Sequence, residues 1–407
     1  MKNFQIPGFY RSPIISRIKQ FRKVQDPRKK DLTPIFLDFG PVGFYIARHF
    51  GFCYGVENAI EISFRALEEN PDKKIFLLSQ MIHNPEVNKD LLLRGVRFLQ
   101  DTEGNSLLPL SEVQCGDIVI IPAFGATLAM EEQLNKQGAE IKKYNTTCPF
   151  VERVWKKSEQ LGSGNYTIII HGKVRHEETR ATFSRSYVHG PSVVVKDLAE
   201  AKKLSEFILK EKSQQEFESE FEGKYSKGFT IEKDFVRLGV INQTTMLATE
   251  TAEIAEFFRG VIKQKFGEEK LSEHFADTRD TLCYATNENQ DATIALGKTD
   301  ADLAIVVGGY NSSNTSHLAE LLEPNFPTFF VSGSDEISSK NKIRFFDLNE
   351  HQVKTKEQFL PETNKKLKIV LTSGASCPDS VVENVMRKII SFFPNVKTDE
   401  EALAELS

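Results

Sequence analysis

The sequence predicts an α/β protein with largely parallel sheets, and two observations carry that reading. Short apolar runs, "KKIFLLSQMIHN", "DIVIIPAFGA", "YTIIIHGKVRHEE", "VRLGVINQTT", "ADLAIVVGGYNSSN" and "KIVLTSGASCPD", each lead through a polar or Gly-rich turn into a segment of helical period, the alternation of βαβ units. Polar residues also gather where each run ends, and in open parallel sheets ligands bind beyond the carboxyl ends of strands. His83, His176, Gln243, Ser312 and Ser376 are therefore candidates to face one crevice.

Along the chain, the first 30 residues are basic, with no acidic residue before Asp26. They read as an extension lying on the folded body, the alternative being a transit segment. In "ARHFGFCYGVENAI" (residues 47–60), Cys53 stands between Gly51 and Gly55 at the start of an amphipathic helix, a place that favours thiolate over thiol. "TTCPF" and "LCYATNENQDA" set Cys148 and Cys283 at two further helix starts, each about one α/β unit along. Three similar units could each offer one thiolate to a common centre. Cys377 in "ASCPD" looks locally as good as Cys148, since both precede a proline suited to a first helical turn, and composition alone does not pick three cysteines of five. Residues 210–235 are charged and poor in aliphatic side chains, and read as a solvated insertion without chemistry.

The 407 residues suffice for two to four domains. A net charge of −5 gives no electrostatic reason to bind nucleic acid or an anionic membrane. No apolar run approaches the roughly 20 residues that span a bilayer, and no secretory signal is visible. Five dispersed cysteines argue against a disulfide framework. The expected setting is cytoplasmic, or a plastid stroma if the N-terminus is a transit segment.

Thiolates from three chain regions could ligate an iron–sulfur cluster with one open iron, against the reading that these are ordinary buried cysteines. Ser312, Ser313 and Asn314 open one helix and Ser376 precedes another, and each such end can cap itself or hold a phosphate. Glu178 in "HEET" is either a proton donor whose pKa a closed site raises, or a carboxylate stabilised by the helix dipole. The same stretch lacks the second histidine of the HExxH zinc pattern.

"GFCYGVENAI", "IHNPEVNKDL", "TTCPFVERVW", "HGKVRHEETRAT", "NQTTM", "LCYATNENQDA", "NSSNTSHLAEL" and "SGASCPDSVVENV" resemble, in order, the motifs of the 4-hydroxy-3-methylbut-2-enyl diphosphate reductase family, in its plant and cyanobacterial type. The resemblance runs from about Ile46 to Arg387. It implies three α/β domains in a pseudo-threefold arrangement around a central 4Fe-4S cluster. Their expected bounds are 44–147, 148–282 and 283–407, after an extension over 1–43. It implies Cys53, Cys148 and Cys283 as cluster ligands, with Cys115 and Cys377 outside the set. His83, His176, Ser312, Ser313, Asn314 and Ser376 would hold the diphosphate, Glu178 would give protons, and Thr244 with Gln243 would order the substrate hydroxyl. Phe124, in "AFG", departs from the histidine that many bacterial members carry there.

The implied reaction is reductive dehydroxylation of the allylic diphosphate to isopentenyl and dimethylallyl diphosphates, the last step of the non-mevalonate isoprenoid pathway. Its implied partners are that small molecule and an electron-donor protein such as ferredoxin or flavodoxin, with no nucleic acid and no membrane. Two rivals are an iron–sulfur hydro-lyase, which needs no reductant, and a non-catalytic cluster-based redox sensor.

Overall fold

Each of the six apolar runs forms a strand: Ile75–Leu77, Ile118–Ile120, Thr167–His171, Leu238–Asn242, Leu303–Val307 and Leu367–Ser373. They are so uniformly apolar because almost every position is buried, as in parallel strands covered on both faces. The computed structural model describes residues 4–278, 281–362 and 365–406. The chain separates into two compact units, one of residues 1–57, 82–89 and 284–407, the other of residues 58–81 and 90–283.

In the first unit an eight-stranded sheet has its parallel heart in Val42–Ile46, Leu367–Ser373, Leu303–Val307 and Thr328–Val331, in that order. Val370 stands opposite Tyr45 on one side and Ala304 on the other. Ile35–Asp38 closes one edge antiparallel, and the strands Ile337–Ser339, Lys342–Asp347 and Gln352–Glu357 extend the other. The N-terminal helix Pro13–Gln25 starts at Ser12, whose hydroxyl accepts the Ile15 N–H, and buries Ile14, Ile15 and Ile18 in this unit's core. Lys19 pairs with Asp379 at 2.7 Å, while Phe4 and Tyr10 meet Tyr54 and Phe52 edge-on.

The second unit holds two three-stranded parallel sheets. Ile75–Leu77 lies between Arg97–Phe98 and Ile118–Ile120; Thr167–His171 lies between Ser192–Val195 and Leu238–Asn242.

The insertion over 210–235 corrects an expectation. Phe217, Phe221, Phe229 and Phe235 are all buried, joining Phe207, Leu204 and Phe258 in one core. Phe217 touches Phe207, Phe221, Tyr225, Phe229 and Phe235. The charged residues cover an aromatic core, because rings rather than aliphatic side chains carry the apolar area here.

Among the described residues no helix is long and apolar enough to cross a membrane.

Candidate active-site residues

In the first unit the segments leading into four helices, Tyr54–Glu69, Pro85–Leu93, Ser313–Leu322 and Asp379–Ile390, meet. Ser376 Oγ donates to the His83 carbonyl at 3.0 Å, the Ala375 N–H to Asn314 Oδ1 at 2.8 Å, and the Cys53 N–H to the Ala375 carbonyl at 3.1 Å. Two glycines allow this approach. A Cβ on Gly309 would stand 2.4 Å from the His83 carbonyl oxygen, and one on Gly374 only 1.9 Å from Thr315 Oγ1. Cys53, His83, Asn314 and Ser376 are thereby brought together, with Ser312 and Ser313 at the start of the same helix, Ser313–Leu322.

That helix end is partly self-capped, since Ser312 Oγ accepts the Thr315 N–H at 3.2 Å. Asn314 goes further. Its Oδ1 is used on Ala375, but its Nδ2 is buried without an acceptor among the described residues. A buried donor left in that state costs free energy until something accepts from it.

The second unit gathers Cys148, His176, Glu178, Gln243, Thr244 and Cys283. Cys148 is the N-cap of Pro149–Ser163, with Pro149 at the first helical position, and its N–H donates to the Ala123 carbonyl at 2.9 Å. Glu178 lies in the first turn of Glu177–Ser186, whose N-cap is His176. His176 Nδ1 accepts the Glu178 N–H at 3.2 Å, which leaves the ring proton of the neutral imidazole on Nε2. Phe124 meets the His176 ring edge-on, the centroids 5.4 Å apart.

Glu178 is 1% exposed, and the two readings of "HEET" are decided by burial. Burial pushes its carboxyl up to about 7, although Thr244 opposes this with its N–H on Oε1 at 2.6 Å and its hydroxyl on Oε2 at 2.9 Å. Gln243 is fixed behind it, its Oε1 accepting from Thr179 Oγ1 at 3.0 Å and the Lys173 N–H at 3.2 Å. Thr244 also accepts the Cys283 N–H on its carbonyl at 3.2 Å.

All five cysteines are thiols rather than disulfides. Cys53, Cys148 and Cys283 are partly exposed and each directly precedes or caps a helix, whereas Cys115 is exposed and Cys377 buried. The likeness of Cys377 to Cys148 ends in the backbone. Pro378 is itself the N-cap of Asp379–Ile390, so Cys377 lies one residue further back, its Sγ turned to the Pro378 carbonyl at 3.6 Å. Burial pushes the Cys148 thiol up to about 12, with Cys283 and Glu178 adding repulsion, while the N–H groups of Phe150 and Val151 favour the thiolate. Among the described residues no three His, Cys, Asp or Glu side chains gather to hold a metal ion. Ligands of one cluster bind different irons and need not meet around a single point.

Sequence reasoning missed Thr179, Asn242 and Thr281, which hold this second group in place. Asn242 had a signal, an amide ending an otherwise apolar buried strand; Thr179 had none.

The LytB protein family model matches residues 44–390. A protein of Picosynechococcus sp. named 4-hydroxy-3-methylbut-2-enyl diphosphate reductase is 42% identical over 353 residues, covering 86% of this chain and 85% of its own. One of the same name from Thermosynechococcus vestitus is 38% identical over 392 residues, covering 96% and 91%. A solved (E)-4-hydroxy-3-methyl-but-2-enyl diphosphate reductase, described as the terminal enzyme of the non-mevalonate pathway, superposes with a TM-score of 0.50 at 25% identity, covering 87% of this chain and 99% of that one. The reductase structure from Plasmodium falciparum, at 24% identity and a TM-score of 0.59 over 84% and 86% of the two chains, shares the fold. With a family model matched over residues 44–390 and relatives about 40% identical across most of its length, the chain belongs to the LytB protein family.

Proposed function

We infer that this chain is an iron–sulfur oxidoreductase of isoprenoid biosynthesis. It converts 4-hydroxy-3-methylbut-2-enyl diphosphate, with two electrons and two protons, to isopentenyl or dimethylallyl diphosphate and water. The observation that carries the reading is Glu178, a wholly buried carboxyl poised near neutrality in contact with Thr244, in a chain whose relatives carry this activity by name.

Cys53, Cys148 and Cys283 would hold a 4Fe-4S cluster, and the residues present fit it: three partly exposed thiols outside disulfides, each directly before or capping a helix. When bound, such a cluster supplies single electrons and a Lewis-acidic iron for an oxygen ligand. His83, Ser312, Ser313, Asn314 and Ser376, with the Nε2–H of His176, are mostly uncharged donors suited to orient a diphosphate without matching each of its charges. Asn314 Nδ2 would gain the acceptor it lacks. Gln243 and Thr244 would order the substrate hydroxyl. When Glu178 is protonated, its Oε2 donates to Thr244 Oγ1, and the threonine turns its own proton toward the leaving oxygen. Phe124, in edge contact with His176, would wall the diphosphate end where many relatives carry a polar ring.

Supply of electrons one at a time suits a donor protein of the ferredoxin or flavodoxin kind. Five thiols outside disulfides suit a reducing compartment such as the cytoplasm. The three-domain division of the chain, at 44–147, 148–282 and 283–407, stays part of this proposal.

The test is anaerobic purification with iron and sulfide analysis, followed by assay on the hydroxylated diphosphate with and without a one-electron reductant. Turnover to both isomers only with the reductant is expected. Product without reductant would identify a hydro-lyase, and a loaded cluster without turnover a sensor.

A further inference from the structure

Upstream of Cys283, residues Ala276, Thr278 and Thr281 are each fastened beside the strand Leu238–Asn242. The Ala276 N–H donates to the Leu238 carbonyl at 2.9 Å, and the Thr278 hydroxyl to the Val240 carbonyl. Thr281 then engages Asn242 in both directions. Its N–H donates to Asn242 Oδ1 at 2.8 Å, and its Oγ1 accepts the Asn242 N–H at 2.9 Å. The Thr281 hydroxyl proton has Asn242 Oδ1 at 2.8 Å and the Asn242 carbonyl at 3.1 Å to choose between. Last comes the Cys283 N–H on the Thr244 carbonyl at 3.2 Å. Carbonyls at 238, 240 and 242 point the same way because strand periodicity is two. The described residues laid along them are held partly by backbone N–H groups and partly by side-chain hydroxyls.

We propose that Asn242 and Thr281 are positioning residues for Cys283: their reciprocal clasp fixes the chain two residues before the thiol and sets where its sulfur is presented. Both are buried, so the clasp is sheltered from competing water. Asn242 Nδ2 is tied to the Gln243 carbonyl at 3.0 Å, which locks the amide with Oδ1 toward Thr281. The clasp uses no group that the dehydroxylation consumes, and the inference rests on Cys283 being a cluster ligand.

The experiment compares the full-length protein with Thr281→Val, Thr281→Ser, Asn242→Ala and Cys283→Ala, all reconstituted anaerobically. The readout is the rate at which an iron chelator bleaches the cluster's visible absorption. Thr281→Val keeps the size but removes the hydroxyl, and is expected to bleach about fivefold faster, the worth of roughly one hydrogen bond. Thr281→Ser restores the hydroxyl and should return the rate to within about twofold of the parent. Asn242→Ala, if it folds, should bleach at least as fast as Thr281→Val. Parent-like bleaching of Thr281→Val, or fast bleaching that Thr281→Ser fails to rescue, overturns the proposal while Cys283→Ala still loses the cluster. A Cys283→Ala protein with full iron and sulfide would instead remove the ligand reading beneath it.

Discussion

The two units use the carboxyl ends of their strands in opposite ways. In the first, His83, Ser312, Asn314 and Ser376 bring no carboxyl group, and Asn314 Nδ2 is a buried donor without an acceptor among the described residues, an arrangement that an anion would complete. In the second, the same topological position holds Glu178, an acid cut off from water and pushed up to about 7. Both places are helix starts, which on dipole grounds alone favour negative charge. The difference teaches that desolvation outweighs the dipole at Glu178: a fully buried carboxyl meets a penalty larger than one helix end and two hydrogen bonds from Thr244 repay.

The sharpest test of the contrast spans both units. Single alanine substitutions at Cys53, Cys148 and Cys283 are expected to abolish the cluster's visible absorption, with Cys115→Ala and Cys377→Ala retaining it. Iron and sulfide per chain measure this, and a cluster missing from Cys377→Ala would reverse the assignment.

Next in size is Glu178→Gln, which keeps shape but removes the transferable proton. Turnover should fall on the order of 10²- to 10⁴-fold, with cluster content and the substrate-induced spectral change preserved. The same acid sets a pH limb. A donor titrating at about 7 is protonated below that value, so kcat/KM of the parent should decline as pH rises through it. Stability follows the same sign. The folded-state pKa lies above the unfolded one, so burying Glu178 costs little near pH 4, increasingly more as pH rises to about 7, and a constant amount above it. Relative to the parent, Glu178→Gln should therefore gain stability between pH 5 and pH 8, by up to roughly 3 kcal/mol, in denaturant titrations of the cluster-free protein.

Asn314→Ala removes the idle donor and the hold on Ala375 together. KM should rise about 10- to 100-fold, as for loss of a hydrogen bond to a charged group, with kcat changed less. An unchanged KM would show that the first unit's neutral donors do not meet the substrate. The smallest effect is expected at Phe124. Edge-to-face contact with His176 is worth on the order of 1 kcal/mol, so Phe124→Ala should weaken substrate binding by up to about tenfold, and Phe124→His should be tolerated. An inactive Phe124→His with its cluster intact would show a pocket rebuilt around the ring.

Much of the architecture was legible because its signal is local. Six apolar runs became six strands, and the residues at their ends follow from parallel topology. What stayed hidden was of two kinds. Counting aliphatic side chains hid the core under residues 210–235, where Phe217, Phe221, Tyr225 and Phe229 recur every fourth residue, a period the charged majority obscured. The difference between Cys148 and Cys377 was hidden because a Cys-Pro pair reads the same in both places. A one-residue shift in where the helix begins puts one sulfur at the cap and the other in the core. Pairings such as Asn242 with Thr281 join distant parts of the chain, which no local window contains.

Thr244 bears on how substitution experiments are interpreted. Of its three described bonds to the acid and to Cys283, two are made by main-chain atoms, the N–H on Glu178 Oε1 and the carbonyl accepting from Cys283. Side-chain replacement interrogates only the hydroxyl on Oε2. A mild phenotype for Thr244→Val would leave both of these main-chain bonds unexamined, and an alanine scan would rank the position too low. Changing the atoms themselves would expose the remainder: an ester in place of the peptide N–H at Thr244 for the first bond, and one in place of the N–H at Cys283 for the second.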